Sequence, residues 1–150
     1  MAEADEPGRL ARILADVRAS GGRMTTARRA LVTALVAADG HVTADDLAEV
    51  VQRNHPDVHR STIYRTLDAL EQLGIVDHVH LGHGRAVYHL TDDRHQHLVC
   101  EACGHVTEAP DELFAALAAA LRTEYGFVIR PNHFAVLGRC RACAAAPVSS

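Results

Sequence analysis

The 150-residue chain has no tryptophan and no lysine, only three tyrosines and three phenylalanines, and no cysteine before residue 100. With so few rings, the core must be built from Leu, Val, Ile and Ala. No stretch approaches the ~18 consecutive apolar residues that read as a membrane span, so no membrane partner is expected. The start, Met-Ala-Glu-Ala-Asp-Glu-Pro, is acidic and apolar-poor, unlike a secretory leader, and a cytoplasmic location is expected. No Ser or Cys nucleophile has a base beside it and no pair of general bases stands out. An enzyme with a small-molecule substrate is therefore not expected. The formal net charge of −4 argues weakly against nucleic acid, but its distribution matters more. All 15 basic side chains are Arg. Arg18, Arg23, Arg28 and Arg29 lie in an acid-free stretch, as do Arg60 and Arg65. Such local basic faces suit phosphate contacts, and an ordinary solvated surface accounts for the charges equally well.

What is present is chemically pointed. Cys100-x-x-Cys103 and Cys140-x-x-Cys143 are two knuckles with 36 residues between them, the spacing of a four-cysteine zinc site. Four protein ligands leave no open position, so the zinc is structural. Two disulfides or four buried thiols are the alternatives, and a disulfide framework wants an oxidising compartment. There are 11 histidines, and His78, His80, His83, His89, His95, His97 and His105 fall within 28 residues.

The apolar spacing predicts four helices, over Pro7–Ser20, from Thr25 or Thr26 to Asp39, from a Thr43 cap to Pro56, and from a Ser61 cap to Gly74. The period then changes to two. Ile75–His80 and Ala86–Leu90 alternate about a Gly-His-Gly turn, which reads as a β-hairpin. Three helices and a hairpin after a leading helix make a winged helix-turn-helix. Short strands are expected at His97–Cys100 and His105–Glu108, then a helix from Pro110 to Gly126 and a strand over Phe127–Gly138. The fold class is α+β: a winged-helix DNA-binding domain over 1–90, a hinge over 91–96, and a small α/β dimerisation and zinc domain over 97–150.

Four segments in order resemble the ferric uptake regulator family of metal-dependent repressors. They are Arg23-Met-Thr-Thr-Ala-Arg28, then Ser61-Thr-Ile-Tyr-Arg-Thr-Leu67 with Gly74-Ile75-Val76. They continue with His95-Gln-His-Leu-Val-Cys-Glu-Ala-Cys-Gly104 running on to Glu108, and finish at Cys140-Arg-Ala-Cys143. The resemblance covers about residues 10 to 143. It implies a homodimer that binds an inverted-repeat duplex DNA operator when a sensory metal is loaded. Tyr64 and Arg65 occupy the half of the recognition helix that faces bases. Arg can pair bidentately with guanine, and Tyr can meet a thymine methyl or a phosphate. Arg28 matches a family residue before helix 2 and is expected on a phosphate.

His78 and His80, and again His95 and His97, stand at i and i+2, so each pair leaves one strand face. A single strand histidine is usually an ordinary polar residue, whereas two such pairs about a hinge point to metal. The resemblance implies a hinge site of His41, His95, His97 and Glu108, with His89 where the family places an acid. So many imidazoles suit Ni²⁺, Zn²⁺ or Cu²⁺ better than Mg²⁺ or Mn²⁺. The wing and the segment Asn132–Cys140 are most similar to the nickel-responsive branch, which implies a second site of His78, His80 and His133. The branch's longer histidine run is interrupted here by Asp93, Arg94 and Gln96, and His89 serves as substitute. No Cys stands near Thr91, unlike the zinc-sensing branch. Nickel is therefore the expected signal, with a zinc- or iron-responsive regulator as the alternative. A metal-dependent hydrolase and a metal-storage protein are rivals from other classes. Storage leaves Tyr64, Arg65 and the wing without a purpose.

Overall fold

Residues 6–38, 40–81, 84–92, 94–129 and 135–145 are described by the computed structural model. They divide into two compact units, Met1–His78 with Ala86–Asp92, and Val79–Arg85 with Asp93–Ser150.

In the first unit α1 (Glu6–Ala19) buries Ile13, Leu14 and Val17, one stripe of a 3.6-residue period. Helix α2 (Thr26–Ala38) opens where Thr25 Oγ1 accepts the Arg28 N–H at 3.1 Å, so Thr25 is the cap. Strand β1 (Val42–Thr43) leads into α3 (Ala44–Asn54). Thr43 Oγ1 accepts the Asp46 N–H at 3.1 Å, and its hydroxyl donates to the Asp46 carboxylate at 2.6 Å. The helix ends because His55, preceding a proline, is pushed to φ −136° and ψ 72°. Helix α4 (Arg60–Gln72) begins one residue before the expected Ser61 cap. The extended His59 is the cap residue, and its carbonyl accepts the Thr62 and Ile63 N–H groups. Ser61 therefore lies inside the first turn. Gly74 at φ 71° closes α4, with the Ile75 N–H donating to the Leu70 carbonyl at 3.0 Å.

Strands β2 (Val76–His80) and β3 (Ala86–Leu90) form the wing, and β1 joins it in the order β1-β3-β2. Val42 pairs with Tyr88 and Thr43 with Val87, antiparallel. The apolar core gathers here: Leu31, Leu35, Leu47, Ile63, Leu67 and Leu70 are among its fully buried side chains. Gly22 marks the tightest approach, since a methyl there would lie 2.7 Å from the Val17 carbonyl oxygen and 2.8 Å from Leu73 Cδ1. Gly22→Ala is expected to cost about 1–3 kcal/mol through overpacking, read as a lowered Tm without a change in the folded-state spectrum.

The second unit is a sheet in the order β5-β4-β6, built from β4 (His95–Cys100), β5 (Val106–Pro110) and β6 (Ala135–Gly138). Strands β4 and β5 are antiparallel with His97 opposite Glu108, whereas β4 and β6 are parallel with Leu98 opposite Val136. Helix α5 (Glu112–Tyr125) ends at Gly126 in the left-handed conformation. Of the strand expected over Phe127–Gly138, Ala135–Gly138 is β6, with Ala135 opposite His97, and residues 130–134 lie outside the described ones. Residues 127–129 carry no regular structure. The second cysteine knuckle enters the short helix α6 (Arg141–Ala145).

Candidate metal centres and nucleic-acid interface

Helix α4 buries Ile63, Thr66, Leu67 and Leu70 and turns the intervening residues outward. Tyr64 is 41% exposed and Arg65 is exposed too. Arg60 and Tyr64, one turn apart, share a face, and both reach Asp45 in the first turn of α3. The Arg60 Nη1 donates to Asp45 Oδ1 at 2.7 Å, and the Tyr64 hydroxyl donates to the same oxygen at 2.8 Å. Arg28 is half-buried, and its Nη1 donates to the Arg23 carbonyl at 2.7 Å, tying down the loop before α2. Its guanidinium carries further N–H donors for a phosphate.

In the second unit β4 ends at Cys100, the turn carries Cys103, and Cys140 and Cys143 flank the start of α6. All four are free thiols whose sulfurs lie within 4.8 Å of one another. The Cys103 and Cys140 sulfurs are 3.8 Å apart. A tetrahedron with Zn–S bonds of about 2.3 Å has edges of about 3.8 Å, so the donor set fits zinc. The Cys100 thiol is lowered to about 6, first by the Cys140 backbone N–H and then by that of Cys103. Cys143 is pushed up to about 12 because its thiol hydrogen-bonds first to Cys140 and then to Cys103 and Cys100. For Cys103 the His105 N–H pulls downward, but hydrogen bonding to the Cys100 and Cys140 sulfurs, with desolvation, leaves it raised. Zinc binds thiolates, so uptake at pH 7 is expected to release protons, that of Cys143 among them. An indicator dye in weak buffer reads this directly.

Histidines also meet one another within each unit. In the first unit the His41 and His89 rings are tilted at 53° with centroids 5.2 Å apart. His89 is buried on β3, and its Nδ1 contacts the Leu90 carbonyl at 3.2 Å. A carbonyl only accepts, so Nδ1 carries the proton and Nε2 the lone pair. In the second unit the His95 and His97 rings leave one face of β4 with centroids 4.9 Å apart. His95 Nε2 lies 3.6 Å from Glu108 Oε1. Gln96 is buried, and its Nε2 donates to Asp111 at 2.6 Å.

His78 has company that its spacing did not announce. Its Nδ1 lies 2.6 Å from Glu71 Oε1 on α4, and its ring is 5.8 Å from that of Tyr88. Glu71, Asp77 and His78 offer donors within 4.8 Å of one another. Burial raises the Tyr88 phenol, and the charges of Glu71 and Asp68 raise it further. That negative surrounding favours a cation beside His78. His80 is exposed at the end of β2. His83 and His133 lie outside the described residues, as does Asp93 of the expected hinge.

Residues 19–136 match the model of the ferric uptake regulator family. The chain belongs to that family. It is 30% identical over 140 residues to the ferric uptake regulation protein of Bacillus subtilis, covering 90% of this chain and 94% of that one. It is 33% identical over 126 residues to the zinc uptake regulation protein of Mycobacterium tuberculosis, covering 83% and 97%. A zinc uptake regulator complexed with zinc and DNA superposes with a TM-score of 0.65 at 25% identity, covering 95% and 97% of the two chains. As a ferric uptake regulator family member the chain is a metal-responsive transcriptional regulator and not an enzyme. Its partners are DNA and a second copy of itself. No helix among the described residues is long and apolar enough to cross a membrane.

Proposed function

We propose that the chain is a cytoplasmic, nickel-activated homodimeric repressor that binds an inverted-repeat operator. The chemistry of the proposed donor set supports the choice of metal. Imidazoles from His41, His89, His95 and His97 outnumber the one carboxylate, Glu108, and such sets favour nickel, zinc or copper. His78, His80 and His133 are the second sensory set. Cys100, Cys103, Cys140 and Cys143 hold a structural zinc.

A sensory ion, when bound, supplies coordination bonds that the unloaded protein lacks. The protein's own residues do the rest. The tautomer of His89 presents Nε2, and the i, i+2 spacing aims His95 and His97 together. Tyr64 and Arg65 read base edges, and Arg28 holds a phosphate. Leu113 and Leu117 of α5 and Val136 and Leu137 of β6 are exposed in the single chain. A second copy covers that apolar surface, as dimerisation requires. Two recognition helices on one dimer can then enter successive major grooves, and loading favours the arrangement in which both fit.

Zinc- or iron-responsive control is the second reading, favoured by the His95–Glu108 pairing, which adds a harder oxygen donor. The discriminating experiment is calorimetric titration of zinc-loaded dimer with Ni²⁺, Zn²⁺ and Fe²⁺, with His78→Ala/His80→Ala beside the wild type. The double variant is expected to keep its melting profile and lose its nickel response. Full nickel-dependent DNA binding by that variant contradicts the assignment of His78 and His80.

A further inference from the structure

Asp45 is an odd residue to find where it is. It projects from the first turn of α3 onto the exposed face of α4, the face that carries Tyr64 and Arg65. Its carboxylate is 33% exposed, and the Arg60 side chain it pairs with is 50% exposed. An exposed ion pair of this kind contributes little to folding. On a surface that meets phosphates, its negative charge and its hold on Arg60 weaken binding to every duplex alike. A carboxylate in the first turn of α3 favours the helix modestly, and that alone does not account for its two bonds to α4.

Its hydrogen bonds supply the explanation. One oxygen, Oδ1, takes the Tyr64 hydroxyl proton at 2.8 Å and the Arg60 guanidinium at 2.7 Å. Tyr64 stands on α4 with its side chain 41% exposed. The bond to α3 fixes the ring against a second helix and commits the phenolic proton to Asp45. An Arg60 engaged by a carboxylate is likewise withheld from the nearest phosphate. The placement of the N-terminal end of α3 stabilises the carboxylate that does both.

We propose that Asp45 is a specificity-determining residue, a positioning group that holds Tyr64 in its base-reading pose while its charge lowers affinity for DNA of any sequence. Specificity is a difference of affinities: a charge that weakens every duplex alike cancels from it, and the pose of Tyr64 supplies it. The inference rests on the reading of α4 as the DNA-facing helix.

The test uses the metal-loaded homodimer, a duplex enriched by it from a random pool, and a scrambled duplex of equal length. Asp45→Asn removes the charge and keeps an acceptor for Tyr64. With one copy in each protomer of the dimer, it is expected to tighten both duplexes by about 60-fold at 0.1 M salt, to steepen the salt slope by about 1.8, and to keep their ratio. Asp45→Ala removes the acceptor too. It is expected to tighten the scrambled duplex similarly while the enriched-to-scrambled ratio falls about fivefold or more. Tyr64→Phe is expected to lower the ratio with an unchanged salt slope. Thermal melts confirm that each variant is folded. A wild-type ratio in Asp45→Ala, or an unchanged salt slope in both Asp45 variants, overturns the proposal. A wild-type protein with no sequence preference overturns the DNA-reading role of α4 itself.

Discussion

A Cys103→Ser/Cys143→Ser variant is expected to lose its zinc, its dimer and its operator binding together, while the first unit stays folded. The reason lies in how unevenly apolar burial is shared. The contiguous core cluster runs from Ile13 to Leu90, wholly within the first unit. In the second, the buried hydrophobics among the described residues are Val79, Val99, Cys100 and Ala109, and α5 buries none. So small a core cannot offset the entropy of ordering a sheet and a helix, and zinc supplies the difference. Structural zinc sites of this type contribute about 10–16 kcal/mol of apparent binding energy at pH 7. Cys103 is exposed and Cys143 half-buried, so serine there removes ligands with little loss of packing. Sedimentation is expected to show monomers, and circular dichroism a partial loss of structure with a surviving cooperative melt from the first unit. A dimeric, zinc-free variant with wild-type melting contradicts this account.

The second large effect is expected at the sensory histidines. His95→Ala/His97→Gln is expected to bind operator in the presence of metal no better than wild type does in chelator. His97 is buried and faces Glu108 across the sheet, so Gln keeps a polar side chain in place while losing the imidazole. A coupling energy of about 1–3 kcal/mol between effector and DNA corresponds to about 5- to 150-fold in operator affinity, all of it lost in the variant. Fluorescence anisotropy with a labelled operator, titrated with and without metal, gives the ratio. Residual binding in chelator should match the wild type, because Tyr64, Arg65 and Arg28 are untouched. A variant that keeps the full metal response places the sensory donors elsewhere.

Much of this was legible in the chain because it is local. Thr43 caps α3 and Gly74 closes α4 for reasons contained within four residues of each. The two knuckles specify their own convergence through their spacing. The features that were missed depend on which segments meet. Strand β1 is two residues long and exists only because β3 lies beside it. The parallel pairing of β4 with β6 joins residues about 38 positions apart and has no signal in either segment. Glu71 reaches His78 from the preceding helix, and Asp45 reaches Tyr64 across a helix–helix junction. Ser61 looked like a cap because serine favours that position, but His59 holds the extended backbone that a cap requires. Of the strand expected over Phe127–Gly138, residues 127–129 carry no regular structure and Ala135–Gly138 forms β6. Phe127, Val128, Val136 and Leu137 are exposed in the single chain.

The central claim is that this chain reads DNA under the control of a metal ion, and one measurement tests it most directly. The purified zinc-loaded protein selects from a pool of random duplex DNA in parallel with Ni²⁺, Zn²⁺, Fe²⁺ and chelator. The account predicts an inverted repeat enriched with nickel and absent in chelator. The same repeat enriched only with zinc or iron keeps the repressor and replaces its signal. No enriched sequence under any condition contradicts the account.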